Sequence, residues 1–277
     1  MIDVTYSPEY AQFKERYYGL KTVVLNGLPV QYRGDEAYIP HHDYTNVTGD
    51  GPWKEVIEDI KQKLGVSWIE ARLIGARDLA PTPFAAFVLD IPPNSTDETL
   101  MNLFPQKLRN VRKGNRSGFT VDFKCFPGEL ISLYQENMKR HGTPAKSNRF
   151  FAELFNAFGE RAVAICARKN GQLAGANIII RGDRDARMIM NLSRQLYWQD
   201  RVNDLLYWEM IRYANSFGLS LLDFGGNLIS DVSHTRFKLS FGAKMVPILG
   251  YTSGSSFRTF VKWFSRKKRN ALLRFSR

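Results

Sequence analysis

The stretch from Asp223 to Lys244 holds the residue types that transfer of an acyl group would use. Such a reaction needs a proton acceptor for the incoming nucleophile and donors that stabilise negative charge on a tetrahedral oxygen. The ammonium of Lys238, in Phe237-Lys238, is a candidate for the second role. Asp223 is a candidate for the first, and Glu209, in Tyr207-Trp208-Glu209, is an alternative. Gly225 and Gly226 let backbone approach a ligand or take φ above zero, although a plain turn accounts for them equally well. On position alone Lys238 also fits a surface lysine of a helix. No serine, histidine and acid stand at the spacing of a covalent triad. The histidines lack the cysteine or carboxylate pattern of a metal site, so no metal is expected. His41 and His42 could line an acceptor cleft or be ordinary loop histidines, and His141 and Tyr207 are candidate substrate contacts.

These residues must be held by elements, and the chain spells the same order of elements twice. Short extended runs flank Asn26-Gly27 and again Asn170-Gly171, dipeptides that favour tight hairpins. A third strand follows each pair, Glu36 to Pro40 and Ala186 to Ser193, then a helix, then a fourth strand. The first helix carries Val56, Ile57, Ile60 and Leu64 on one face, and the second carries Leu206, Met210, Tyr213 and Ala214, with Asn203 as its expected cap. Gly65-Val66-Ser67-Trp68-Ile69-Glu70 echoes Gly218-Leu219-Ser220-Leu221-Leu222-Asp223, so a duplicated unit is expected. Between the units, the Pro-Pro-Asn-Ser-Thr loop marks a boundary, and two helices, Glu129 to Arg140 and Asn148 to Phe158, precede the second sheet, the latter capped by Ser147. The division expected is 1–95, 96–250 and a tail, 251–277.

Charge is unevenly placed. Five basic and no acidic residues lie between Met101 and Val121, and eight basic and no acidic residues follow Thr252. Without those 13, the remaining 26 Lys and Arg nearly balance 27 Asp and Glu, so two local patches carry the whole excess and suggest an anionic partner. Arg109, Arg112, Lys113 and Arg116 share one face if their segment is helical, a face suited to phosphate oxygens or simply to water, with Gly114 expected to interrupt the helix. In the tail, Phe257, Phe260, Val261, Phe264, Ala271, Leu272 and Phe275 share one helical face, interrupted by Lys268, and the rest carries most of the Lys and Arg, as in an amphipathic helix on an anionic membrane, though the same residues could cover a groove or bind tRNA. Cys125 and Cys166 read as buried thiols in a chain with no apolar leader, so a cytoplasmic protein is expected, in part peripheral on the inner face of the membrane.

Four motifs stand in a telling order: Arg109-Asn110-Val111-Arg112-Lys113-Gly114, Arg140-His141-Gly142-Thr143-Pro144, Asp223-Phe224-Gly225-Gly226, and Phe237-Lys238 with Phe241-Gly242. From about Phe104 to Tyr251 this order resembles the Fem-type aminoacyltransferases, which include peptidoglycan bridge-forming enzymes and FemAB-related proteins of envelope-polysaccharide loci. The resemblance implies an α/β fold of the α+β kind: two GNAT-like domains, each a mixed, mostly antiparallel sheet flanked by helices, here followed by a basic C-terminal helix. It implies N-acyl transfer without a resident cofactor, from a carrier such as aminoacyl-tRNA to the amine of an envelope precursor, with Lys238 as the oxyanion donor and Phe237, Gly225 and Gly226 beside the substrate. A donor of the acyl-CoA or acyl-carrier-protein type is the alternative, and a non-catalytic tRNA- or membrane-binding protein on a transferase-like fold is a third. Arg194 to Arg201, where acetyl-CoA enzymes place a glycine-rich pyrophosphate turn, contains no glycine, which argues against a conventional coenzyme A loop.

Overall fold

The computed structural model describes residues 4–40 and 51–254. In chain order the elements are α1 (Pro8–Tyr18), β1 (Lys21–Leu25), β2 (Leu28–Arg33), β3 (Glu36–Ile39), α2 (Trp53–Leu64), β4 (Trp68–Leu73) and β5 (Ala80–Asp90). There follow α3 (Asp97–Met101), α4 (Leu108–Arg116), β6 (Thr120–Asp122), α5 (Pro127–Arg140), α6 (Arg149–Phe158), β7 (Ala162–Lys169), β8 (Gln172–Arg181) and β9 (Asp185–Ser193). The last are α7 (Val202–Ser216), β10 (Leu221–Asp223), β11 (Asn227–Leu228), α8 (Val232–Leu239) and β12 (Lys244–Ser253).

The two expected units are present as β1-β2-β3-α2-β4 and β7-β8-β9-α7-β10. In each, hairpin strands pair antiparallel and the strand after the helix pairs parallel to the third, β3 with β4 and β9 with β10. Asn26-Gly27 and Asn170-Gly171 take positive φ at both residues, as a two-residue turn that matches strand twist requires. Gly65 and Gly218, at φ of 63° and 65°, end the two helices in the left-handed conformation.

The units do not have separate sheets. The order β1-β2-β3-β4-β12-β5-β10-β9-β8-β7-β6 makes one continuous sheet, in which β12 is inserted between β4 and β5, and β5 passes to β10. Packing crosses the expected boundary at residue 95 as well. From the first unit, Phe13 on α1 meets Phe150 on α6 edge to face at 5.4 Å, and the Val4 amide donates to Asp185 Oδ2 at 3.0 Å. On one side of the sheet α7 lies in a core with Phe87, Leu89, Phe104 and Phe241; on the other, α1, α5 and α6 cover β7 and β8. A further core joins α2 to β2, β3 and β4. Burial of these apolar faces, worth ~25 cal/mol per Å², is what holds the helices to the sheet.

Several local expectations are corrected. Asn203 does not cap α7: Arg201 occupies the cap position at φ 65° without a side-chain bond. Ser147 does not cap α6, whose cap residue is Asn148. Gly114 does not interrupt α4, which continues to Arg116. A Cβ there would stand 3.1 Å from Leu205 Cβ and 3.2 Å from the Arg201 carbonyl, so glycine lets α4 approach α7 closely. Cys166 is buried, whereas Cys125 is only partly so. The tail beyond Gly254, and His41 and His42 with their loop, lie outside the described residues. Among those residues, no helix is long and apolar enough to cross a membrane.

Candidate active site

Strands β9 and β10 pair only from Asp185–Arg187 against Leu221–Asp223. There β10 ends and the chain turns away through Gly225, while β9 runs on to Ser193 with β8 alone beside it. The parting of the two strands leaves an opening, and α8 stands across it.

Lys238 is placed there by its neighbours in sequence. Phe237 meets Tyr207 edge to face at 4.9 Å, and Phe241, fully buried, lies 5.2 Å from both Tyr207 and Phe104. Gly242 takes φ 78° against the Leu103 carbonyl, where a Cβ would come within 2.5 Å. The Phe-Lys and Phe-Gly pairs are thus an anchor that fixes the rotation of α8, so that Lys238 faces inward and is 6% exposed. Its Nζ donates to the Gly225 carbonyl at 2.8 Å and lies 5.0 Å from the Phe87 ring. Burial pulls its pKa from 10.5 down to about 8, opposed by Asp223 and Asp231 and assisted by Arg187.

Asp223 is 3% exposed. Its Oδ1 accepts from the Gly225 amide at 2.7 Å, and Oδ2 lies 3.6 Å from Arg187 Nε. A carboxylate so engaged shapes the glycine turn and supports the ammonium behind it; the part of free proton acceptor expected of it does not fit these contacts. Gly225 takes φ 73°, a left-handed conformation that favours glycine. Glu209 is excluded from the site. It points to the other side of α7, paired with Arg212 at 3.1 Å, and Arg212 also holds Asp97 on α3.

The opening is a cleft of about 260 Å³ walled by α5, β9, α7 and α8. Of the candidate residues, Tyr207, Phe237, Lys238 and His141 line it. Others in its wall were missed. Arg140 donates to the Ser193 carbonyl at 3.0 Å and lies 5.1 Å from the Trp198 ring, while Trp198 Nε1 donates to Ser193 Oγ at 2.9 Å. Asn191 donates to the buried Asn177 at 2.6 Å. At the mouth, His234 Nδ1 contacts Asp231 Oδ2 at 2.7 Å. The His141 pKa is lowered by burial, then by Arg140 and His234, so its imidazole is neutral at pH 7. Arg140 stood in a quoted motif; Asn191 and Trp198 carried no signal apart from the fold.

The basic face of α4 is real. Arg109, Arg112, Lys113 and Arg116 are exposed along an open groove of about 650 Å³, with no ion pair among the described residues, while Val111 and Gly114 turn inward. Below it, Lys107 and Asp204 form a buried pair at 2.8 Å, and the Lys107 ammonium lies 4.0 Å from the Phe237 ring. Gly114 places this helix beside the start of α7, whose Asn203 lines the cleft.

Residues 106–239 match the family model described as acetyltransferase (GNAT) domain. The whole fold is similar to a crystal structure of FemX, with TM-score 0.69 and 11% identity over 93% of this chain and 94% of that one. It is similar to the C-terminal domain (DUF2156) of a protein described as a lysylphosphatidylglycerol synthetase from Agrobacterium fabrum, with TM-score 0.60 and 11% identity over 92% of this chain and 90% of that one. It also resembles L-PGS from Bacillus licheniformis, with TM-score 0.55 and 12% identity over 92% and 95% of the two chains. No curated protein matches the sequence.

Proposed function

We propose, for a chain whose residues 106–239 match the GNAT acetyltransferase domain and whose fold is similar to that of FemX, that it transfers an aminoacyl or other acyl group from a carrier to an amine. The observation that carries this reading is the ammonium of Lys238, buried at the parting of β9 and β10. In the reaction the acceptor nitrogen bonds to the acyl carbon, and the carbonyl oxygen takes up the negative charge beside Lys238. The carbon–oxygen or carbon–sulfur bond to the carrier then breaks. The amine gives up a proton to neutral His141, and the Tyr207 hydroxyl can return one to the leaving group. Asp223 acts as a positioning residue through Gly225.

The donor favoured is aminoacyl-tRNA. Four cations on α4, without an ion pair among the described residues, line an open groove on a helix packed against the start of α7, a surface that suits the phosphates of a donor whose acyl end enters the cleft. The turn from Arg194 to Arg201, without a glycine, suits this larger donor better than coenzyme A. An acceptor from the cell envelope is what the Fem-type order of motifs implies.

The test is label transfer from charged tRNA, with acyl-CoA as the competing donor. Lys238→Ala should keep its fold and lower kcat by about 10²–10³-fold, the usual effect of removing an oxyanion donor. Because the ammonium is the active form, kcat should fall as pH rises through about 8. Full activity in Lys238→Ala, or a rate that climbs through that pH, removes the role assigned to Lys238.

A further inference from the structure

A second cavity, of about 370 Å³, opens where α1 and the start of α6 face the Gly225–Gly226 turn. Four cations line it, Lys14, Arg72, Lys146 and Arg187, and no carboxylate does. Two of the four are compensated nearby. Arg72 pairs with Glu70 at 2.6 Å, and Arg187 faces Asp223 at 3.6 Å. Lys14 and Lys146 have no acidic partner within ion-pair distance among the described residues. Instead they converge on one phenol. The Lys14 ammonium lies 4.8 Å from the Tyr18 ring, and Lys146 donates to the Tyr18 hydroxyl at 2.9 Å while sitting 3.9 Å from the Phe150 ring. Lys146 is exposed as a residue, yet its ammonium rests against two rings; that desolvation, and then Lys14, lowers its pKa to about 8.

Two like charges gathered on an aromatic floor without a counter-ion carry an electrostatic cost that a bound anion would relieve. Aromatic faces offset part of it, but ring quadrupoles do not neutralise charge. A carboxylate would balance one ammonium, whereas a phosphate monoester dianion would balance both, with the Tyr18 hydroxyl as a further hydrogen-bonding group. The cavity also ends on the Gly225 peptide, whose carbonyl holds Lys238.

We infer that this second cavity is the acceptor subsite, taking a phosphorylated amine with its phosphate between Lys14 and Lys146 and its amino group toward Gly225. This rests on the acyl-transfer reading for the direction of the amine, but not for the binding of phosphate. It also separates the two substrates: the cleft beside His141 takes the donor, and the cavity under α1 takes the acceptor.

Calorimetric titration of the full chain with glucosamine 6-phosphate, glucosamine and inorganic phosphate tests it. Glucosamine 6-phosphate should bind saturably and more weakly as salt rises, inorganic phosphate more weakly still, and glucosamine not at all. Lys14→Gln with Lys146→Gln should weaken the phosphorylated probe by about tenfold or more, as loss of two charged contacts implies. Failure of the acyl-transfer reading appears as no label transfer by the wild type while the phosphorylated probe still binds, and so is distinct from lost binding. Should the double variant lose the wild-type circular dichroism, Lys146→Gln alone, with Tyr18→Phe, carries the comparison. No saturable binding of the phosphorylated probe, equal binding of glucosamine, or unchanged affinity in the lysine variants overturns the assignment.

Discussion

At the scale of residues, Lys238 is a charge kept where charge is costly. With its pKa at about 8 against 10.5 in the unfolded chain, the native state holds fewer protons than the unfolded state between those values. Stability contributed by this group therefore rises with pH through that window, and below about 8 the desolvation cost is fully present. Relative to Lys238→Met, the wild type should gain up to about 3 kcal/mol between pH 7.5 and 10.5, which urea midpoints at the two pH values would measure. A constant difference would mean that the ammonium is hydrated in solution. On position alone Lys238 read as a surface lysine of a helix, and it was the order of the Fem-like motifs around it that singled it out. The company it keeps was not legible, since Arg140 on α5 and Asn191 on β9 share its cleft only through the parting of β9 and β10.

Elements set how near these residues can come. The hairpins and both left-handed helix ends could be read from Asn-Gly and from isolated glycines, because positive φ restricts residue choice strongly. The phase of α7 could not. It is buried nearly all round, from Val202 to Ala214, so periodicity gave no reason to prefer Tyr207 over Glu209 as the residue facing the cleft. Gly114 was misread for a related cause: a poor helix former in a helix reads as a break unless a neighbouring helix requires it. Gly114→Ala should therefore destabilise despite its better helix propensity, by about 1–3 kcal/mol through overpacking against Leu205 and the Arg201 carbonyl. Urea unfolding measures it. A stabilised variant would show that α4 and α7 have room to separate, and the basic face would lose its fixed place on α7.

For the whole molecule, duplication was readable and the shared sheet was not, since nothing in a strand's own pattern names a partner far along the chain. Ile248 on β12 is 1% exposed and packs with Ile74 and Ala86, which come from β5 and from the end of β4. Ile248→Asp should cost about 3 kcal/mol or more by burying a carboxylate among apolar groups. Hydrogen exchange should show the loss in β1 to β4 and in β7 to β10 together, in one transition. Independent loss in the first four strands would make the units separate folding bodies.

The place of β12 also bears on how the protein is made. Thr252 pairs with Glu70, and Lys244 with Val88, so strands synthesised early wait for the last described strand to complete their hydrogen bonding. Until it leaves the ribosome, β4 and β5 present open edges to any other nascent chain. Contacts so distant in sequence slow folding, and a ribosome that stalls short of residue 244 would release a chain that cannot close its sheet and is prone to aggregate.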